Sequence, residues 1–359
     1  MPTSFTTALA FLICVLLIAV LKRFAQPLGL IDHPEGRKAH GVPIPAVGGV
    51  AMFVAFAPAT LVALPTPQGV AIAVALGILV VVGMLDDRIQ LRPRIRFVAE
   101  LGAAVLLVLA GQSVFYLGNL FGMGPLHTGW AGLIFSVICY IGLTNATNMV
   151  DGIDGLAGSL ALVAVLFFTG IAIVTGNHPV AVVGAAAIGV LGGFLMFNLR
   201  IGPRSRAVIF MGDAGSMFLG CLLAWFAITL AGREPSPLTP IGAVWIVAIP
   251  LLDMGSVMLH RVRTGRSPFD GDRRHLHYLL VDSGVSVPRT VGVLTAAALV
   301  CGVIGTGFPL LHIPEWAMFA AFIATWFAVY RVVSRTALPP VLAEGARSVS
   351  PPAPGASDA

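Results

Sequence analysis

One short polar segment, NATNMVDGIDGLAG at 145–158, stands between two long apolar runs. Asn145, Asn148, Asp151 and Asp154 recur in it at every third position. Because ionised groups are costly in hydrocarbon, carboxylates at such a junction predict a functional site. On an ideal helix Asn148 and Asp151 would be neighbours, whereas Asn145 and Asp154 would diverge. A polar connection between two helices is the alternative, although a turn does not require two amides and two acids in register.

Two more acidic motifs border apolar runs: LDDR at 85–88 and FMGDAGS at 210–216. Helix neighbours point about 100° apart, so Asp86 and Asp87 suit two roles, one carboxylate toward a cation and the other toward substrate. A solvated helix end is the alternative for this pair. Asp213 either caps the apolar helix that follows it or binds a hard divalent cation, which takes oxygen ligands and bridges carboxylates to phosphates.

Basic and imidazole side chains collect in SPFDGDRRHLHYLL at 267–280. His275 and His277 are two positions apart, whereas a metal-binding pair on a helix is spaced by four. Arg273 and its arginine neighbour favour phosphate recognition over zinc. A basic loop lying on anionic lipid is the alternative interpretation.

Three further polar residues lie outside these motifs. Lys38 and His40 lie shortly before a Gly-Gly pair, and they either hold phosphate or form a patch that anchors the chain to the membrane. Asp253 lies inside an apolar run, beyond a kink expected at Pro250. An acid inside the membrane with no partner nearby in the sequence is a candidate for function or for supporting a functional residue.

The elements that must position these residues are membrane helices. Of 359 residues, 57% are hydrophobic and only 10% are charged, with mean hydropathy +0.95, whereas soluble domains carry roughly 25% charged residues. The fold class predicted is all-α, a polytopic integral membrane bundle of about eleven transmembrane helices, because a run of about 20 apolar residues spans the hydrocarbon. The predicted spans are 4–21, 47–64, 69–85, 96–111, 129–147, 157–175, 179–198, 214–231, 240–259, 290–310 and 316–333.

The basic residues orient this bundle. With the N-terminus outside, twenty of the 21 Lys and Arg residues fall on one side, and only Arg233 falls on the other. Cytoplasmic loops are enriched in Lys and Arg, so the C-terminus is predicted to be cytoplasmic. This sorting by side also argues against nucleic acid as the partner of a chain with pI near 9.4. Residues 1–335 form one predicted membrane domain, and the Pro/Ala/Ser-rich segment 336–359 is predicted to be a disordered cytoplasmic tail.

The polar motifs all belong to the same predicted side. Carboxylates suited to Mg²⁺, arginines suited to phosphate and a hydrocarbon wall predict the joining of a soluble phosphorylated substrate to a lipid one. Two phosphate-bearing substrates repel each other, and a metal ion with arginines lowers that repulsion as charge shifts in the transition state.

The motifs resemble those of the polyprenyl-phosphate N-acetylhexosamine-1-phosphate transferases, a family of glycosyltransferase 4 type. The resemblance runs from about Asp32 to Gly284 and rests on DDR, NATNMVDGIDGLAG, GDAGS and SPFDGDRRHLHYLL, in the family's order. The segment 241–269 is similar to the branch that starts O-antigen and enterobacterial-type polymers. Relatives often have His-x-His-His in the last motif, and this chain has Tyr278, a phenol that donates a hydrogen bond but carries no charge near neutral pH.

The resemblance implies a reaction and its partners. GlcNAc-1-phosphate would pass from UDP-GlcNAc to undecaprenyl phosphate with release of UMP, and Mg²⁺ or Mn²⁺ would be the cofactor. The enzyme would lie among the lipids of the bacterial inner membrane with its active site facing the cytoplasm. A homodimer is a possible assembly. The implied roles are catalytic for Asp86, Asp87, Asp151 and Asp154; metal-binding for Asn148 and Asp213; and substrate-binding for Lys38, His40, Asn145, Arg273, His275 and His277.

The sequence leaves two mechanisms and two rival functions open. The lipid phosphate either attacks the sugar-linked phosphorus directly or follows a covalent aspartyl intermediate. Direct attack is favoured because a phosphate monoester, with a second pKa near 6, is already largely dianionic at neutral pH. One rival is the phospho-MurNAc-pentapeptide transferase of the same fold. The other is an ion-coupled transporter, whose site would lie near the middle of the bilayer rather than at one face.

Overall fold

A computed structural model describes residues 2–32, 43–202, 204–268 and 270–336. These residues are nearly all helical. The helices in chain order are α1 (Thr3–Phe24), α2 (Gly48–Ala63), α3 (Pro67–Ile89), α4 (Pro93–Leu109), α5 (Ala131–Val150), α6 (Leu156–Val174), α7 (His178–Asn198), α8 (Gly212–Ala231), α9 (Pro240–Ile246), α10 (Ala248–Arg263), α11 (Leu276–Asp282), α12 (Val287–Leu310) and α13 (Glu315–Arg335). Two short antiparallel ribbons pair β1 (Ile31–Asp32) with β2 (Ile44–Pro45) and β3 (Tyr116–Gly118) with β4 (Leu126–His127).

Each of the eleven predicted apolar runs is helical, which confirms the all-α membrane bundle. Within the described ranges, eight helices are long and apolar enough to cross a membrane, or nine if the bent pair α9–α10 forms one span. The remaining two runs form α2, of 16 residues, and α4, of 17 residues. The predicted substrate-binding residues Lys38 and His40, and residues 337–359 of the predicted tail, lie outside the described residues.

Helix α8 is the central element of the bundle. In its most apolar window 89% of the residues are buried, against 22% for α1 and 11% for α13. Helices α2, α3, α5 and α6 pack around it. Because α8 begins at Gly212, its first turn places Asp213 in the middle of one end of the bundle, where side chains from several neighbouring helices can reach it.

The ninth predicted span is broken, because α9 and α10 meet at an angle of 82°. The break lies at Val247, so the kink comes three residues earlier than the predicted position at Pro250. A proline in the first turn of a helix removes an amide that would have no partner within the helix, so α10 starts without losing a hydrogen bond. Asp253 thereby lies in the second turn of α10, within reach of the segment that precedes α11.

Candidate active site

The N-terminus of α8 is capped by a carboxylate from α3. Asp87 Oδ1 accepts a hydrogen bond from the Asp213 amide at 2.8 Å, and Asp87 Oδ2 accepts one from the Ala214 amide at 3.3 Å. Gly212 has φ +68°, and a Cβ there would collide with the Asp87 carboxylate. The Asp213 side chain does not cap its own helix, so the capping interpretation of FMGDAGS is wrong. A free helix N-terminus favours a negative charge, and α3 supplies it.

Arg96 links the remaining polar groups at this end. Its Nη1 lies 2.8 Å from Asp86 Oδ2 and 3.4 Å from Asp213 Oδ2, and its Nη2 donates to Asn148 Oδ1 at 3.1 Å. Asn148 Nδ2 donates to Asp213 Oδ1 at 2.5 Å. We call Asp86, Asp87, Arg96, Asn148 and Asp213 the carboxylate cluster. Three oxygen-bearing side chains from three helices therefore surround a single cationic group.

The two carboxylates of LDDR diverge, as the helix geometry predicts. Asp86 turns toward a cation, which here is the guanidinium of Arg96, and Asp87 turns toward the amides of α8. Asn148 and Asp213 are hydrogen-bonded although they lie 65 positions apart. Their binding of a metal stays a prediction. In the sequence Arg96 is only one of several basic residues in a loop predicted to be cytoplasmic, so sequence reasoning missed its role. The one sequence signal that could have identified Arg96 is Glu100, an acidic residue one helical turn further along α4.

The predicted substrate-binding residue Asn145 is held by α4. Its Nδ2 donates to Glu100 Oε2 at 2.5 Å and to the Ile141 carbonyl at 2.9 Å. Asn145 lies about one turn before Asn148 on α5 and is not hydrogen-bonded to the carboxylate cluster in the described structure. The structure therefore gives Asn145 a contact between two helices, and a role in substrate binding stays a prediction.

The polar segment that follows α5 forms a tight turn, 151–155. Asp151 is the residue at the end of α5, and it interacts electrostatically with Asp87 and Asp213 of the carboxylate cluster and with Tyr278. Burial and the negative charges of Asp213, Asp87 and Asp154 raise the pKa of Asp151 well above its ordinary value. A proton on Asp151, or a cation bound beside it, would therefore reduce the repulsion among these four carboxylates.

Asp154 faces a different segment from Asp151. Its Oδ2 accepts hydrogen bonds from Arg200 Nε at 2.7 Å and from the Ala207 amide at 2.8 Å. Asn198 adds a second link, because it accepts from the Gly155 amide at 2.7 Å and donates to the Ile209 carbonyl at 2.8 Å. These contacts tie the 151–155 turn to the loop before α8. No local pattern in the sequence marks Asn198 or Arg200 as partners of this turn.

The predicted histidines lie on the other side of the same turn. His275 Nδ1 is 2.7 Å from Asp253 Oδ2, and the rings of His275 and His277 stack with centroids 5.6 Å apart. The Tyr278 hydroxyl donates to the Gly152 carbonyl at 3.3 Å. We call Gly152, Asp253, His275, His277 and Tyr278 the histidine cluster. Burial lowers the pKa of His277 to about 3, so this imidazole is neutral at physiological pH.

The loop that carries the histidines is fixed by ion pairs. Arg261 Nε lies 3.1 Å from Asp272 Oδ2, and both side chains are almost fully buried. Arg273, predicted to bind substrate, contacts Asp282 at 2.9 Å, and its guanidinium carbon lies 4.3 Å from the centre of the Tyr278 ring. The phenol that replaces a third histidine therefore takes part in both a cation–π contact and a hydrogen bond. Burial raises the pKa of Tyr278, so the hydroxyl keeps its proton.

Gly152 packs directly against two side chains of the histidine cluster. A Cβ at this position would collide with His277 Nε2 and with the Tyr278 hydroxyl. Glycine is the residue that lets backbone approach this closely. The arrangement places metal-type oxygen ligands, arginines and imidazoles around one turn, a set suited to binding phosphate groups and stabilising charge that develops on them.

Comparison with known proteins agrees with this chemistry. The model of the family "Glycosyl transferase family 4" matches residues 69–231, from α3 to α8. Three similar proteins bear the name undecaprenyl-phosphate alpha-N-acetylglucosaminyl 1-phosphate transferase. The Yersinia pestis protein is 35% identical over 87% of this chain and 86% of its own length. The Escherichia coli K12 protein is 33% identical over 88% and 87%, and the Pasteurella multocida Pm70 protein 35% identical over 90% and 92%.

The matched region contains all five residues of the carboxylate cluster and the 151–155 turn. The alignments with the three relatives cover nearly the whole chain at about one third identity. This protein is therefore a multi-pass membrane protein that belongs to glycosyl transferase family 4.

Proposed function

We propose that the protein transfers GlcNAc-1-phosphate from UDP-GlcNAc to undecaprenyl phosphate, giving undecaprenyl-diphospho-GlcNAc and UMP. The observation that carries the proposal is the 33–35% identity, over 87–90% of the chain, to relatives whose names state undecaprenyl phosphate and N-acetylglucosaminyl 1-phosphate transfer. The chemistry of the two clusters supports it, because both reactants carry phosphate. The product would begin a cell-envelope polysaccharide such as O-antigen.

Mg²⁺ is the cofactor proposed here, with Mn²⁺ as the alternative. Asn148 and Asp213 would hold it, with Asp86 beside them, because their oxygens already surround one cationic group and oxygen ligands are those that Mg²⁺ prefers. Within the described ranges no group of three or more His, Cys, Asp or Glu side chains is placed to hold a metal. In the proposed site two ligand oxygens come from carboxylates and the third is the amide oxygen of Asn148. When bound, the ion would neutralise charge on the donor diphosphate.

The contacts of Asp87 favour direct attack by the lipid phosphate. Both Asp87 oxygens accept amides of α8, so a covalent bond to Asp87 would break the cap that positions Asp213. In direct attack an oxygen of the acceptor phosphate forms a bond to the sugar-linked phosphorus, and the bond from that phosphorus to the bridging oxygen breaks. UMP leaves with the electron pair. The acceptor is already largely dianionic near neutral pH, so the chain has to position it rather than deprotonate it.

The proposed location is the bacterial inner membrane with the site facing the cytoplasm. Arg96, Arg200, Arg261 and Arg273 all form ion pairs at the end of the bundle that holds both clusters. Loops rich in arginine stay on the cytoplasmic side of bacterial membranes. A nucleotide sugar would reach the site from the cytoplasm, and the lipid acceptor from the inner leaflet.

The test is UMP release by the purified protein in lipid nanodiscs. Undecaprenyl phosphate would be combined with UDP-GlcNAc, UDP-GalNAc and UDP-MurNAc-pentapeptide, each with Mg²⁺, with Mn²⁺ and with EDTA. We expect UMP release with UDP-GlcNAc that requires both the lipid and the metal. Release with only UDP-MurNAc-pentapeptide would replace the proposed donor. Counterflow of a solute in vesicles without UMP release would point to transport instead.

A further inference from the structure

Asp253 is a buried carboxylate inside a predicted membrane span. Its side chain is only 1% exposed, and both of its oxygens are engaged. Oδ2 lies 2.7 Å from His275 Nδ1, and Oδ1 accepts a hydrogen bond from the Leu276 amide at 2.7 Å. Burying a carboxylate costs several kcal/mol unless it is paired and hydrogen-bonded. Both partners of Asp253 belong to the segment that presents the histidines, so this burial is coupled to the position of that segment.

The contact with Asp253 sets the tautomer of His275. A carboxylate only accepts hydrogen bonds, so Nδ1 must carry a proton that points to Oδ2. Nε2 is then the ring nitrogen left for a ligand, and it donates to an oxygen acceptor only when it also carries a proton. A carboxylate that binds one ring nitrogen fixes both the orientation of an imidazole and the role of its other nitrogen. The Leu276 amide, held by the same carboxylate, fixes the backbone where α11 begins.

A series of ring contacts connects His275 to the 151–155 turn. His275 and His277 are nearly parallel, at 14°, and the centroids of His277 and Tyr278 are 4.2 Å apart. Tyr278 donates to the Gly152 carbonyl. In the described structure, the buried His277 Nε2 has no hydrogen-bond partner. A buried nitrogen without a partner is costly, and a ligand that supplies one would relieve that cost.

We propose that Asp253 is a positioning residue: it orients His275, and its negative charge behind the ring supports the doubly protonated imidazole, whose Nε2–H donates to a phosphate oxygen of the nucleotide-sugar donor. The inference rests on the proposed function for the identity of the donor. Asp253 contacts no substrate itself and acts through His275. Asp272 and His277 interact electrostatically with this pair, and the Tyr278 ring contacts His275.

Asp253→Asn tests this with little change in volume. The asparagine amide can accept from the Leu276 amide and donate to His275 Nδ1. His275 would then be neutral with its proton on Nε2, and the negative charge behind the ring would be gone, so the hydrogen bond to phosphate would lose its charged donor. We expect the KM for UDP-GlcNAc to rise about 10- to 100-fold, the range for losing a hydrogen bond to a charged group, with a smaller change in kcat. Asp270→Asn is the control: this carboxylate lies in the same loop, is 45% exposed and pairs with Arg266, so both parameters should stay unchanged.

Nitrogen-15 NMR of labelled histidine gives a readout that does not depend on turnover. His275 signals, assigned with His275→Gln, should show a protonated Nδ1 in the wild type and an unprotonated Nδ1 in Asp253→Asn. A wild-type His275 with an unprotonated Nδ1 would overturn the proposal even if the variant failed to fold. The KM defects of Asp253→Asn and His275→Gln should not multiply in the double variant, since one residue acts through the other.

Multiplying defects, or an unchanged KM in folded Asp253→Asn, would also overturn the proposal. The outcome for the proposed function is separate. A wild-type protein that binds UDP-GlcNAc with the expected His275 signals but releases no UMP would reject the transferase reaction and leave the Asp253–His275 relationship standing.

Discussion

Replacing Arg96 with glutamine removes the cation around which the carboxylate cluster is built. Arg96 contacts Asp86, Asp213 and Asn148 at 2.8, 3.4 and 3.1 Å, and the Asp86 side chain is only 7% exposed. Removing one partner of a buried ion pair costs 3–5 kcal/mol. Because the Arg96 side chain is 23% exposed, we expect the lower end, about 3 kcal/mol of the free energy of unfolding.

The assay is thermal unfolding in detergent with EDTA and with saturating Mg²⁺ or Mn²⁺. A ligand at 100 times its Kd stabilises the folded state by about 2.7 kcal/mol, so a divalent ion should restore most of the loss in Arg96→Gln. It should stabilise the wild type less, since the guanidinium competes for the same oxygens. Arg94→Gln is the matched control, because Arg94 is exposed in the same first turn of α4. Equal metal stabilisation of wild type and Arg96→Gln, or no loss of stability in EDTA, would refute this reasoning.

Three further predictions concern the same end of the bundle. Asp87→Asn should lower the free energy of unfolding by about 1–2 kcal/mol, because the side chain keeps one oxygen acceptor while its Nδ2 leaves the second amide of α8 without one. The same change should strongly lower UMP release while UDP-GlcNAc binding stays detectable by calorimetry. Gly152→Ala should lower turnover about tenfold or more, as its Cβ would push His277 and Tyr278 away from the turn; turnover is the measurement. Burial lowers the pKa of His277 from 6.5 to about 3, so between these pH values the unfolded chain binds a proton that the folded chain does not. The free energy of unfolding should therefore fall as the pH drops below 6.5, by up to about 1.4 kcal/mol per pH unit. His277→Gln should flatten this slope.

Each of these has an outcome that would contradict it. An Asp87→Asn variant with full stability would show that the cap does not support α8, and full activity would remove Asp87 from the mechanism. Wild-type turnover in Gly152→Ala would mean that the turn and the histidine cluster do not act together. A stability slope below pH 6.5 that is identical in wild type and His277→Gln would mean that His277 titrates normally in the folded state.

The hydropathy of the sequence predicts which segments are helical. It predicts less well where each helix begins, ends or bends. The eleven apolar runs are all helical because backbone groups in hydrocarbon must be satisfied within the segment. The kink of the ninth run was misplaced, since the proline at 250 is tolerated in the first turn of α10 and the break moves to Val247. The residue types at the site were equally readable, because carboxylates, amides and histidines between apolar runs stand out against a chain that is 10% charged.

The fold class, the collection of polar motifs on one side and the set of residues suited to phosphate can be read from the amino-acid sequence. The pairing of these residues depends on the folded arrangement: Asp87 with the amides of α8, Arg96 with Asp86 and Asn148, and Asp253 with His275. Hydropathy depends on each residue's own side chain, so it can be read locally. Hydrogen bonds and ion pairs depend on which helices are neighbours, and these partners lie between 10 and 127 positions apart in the chain.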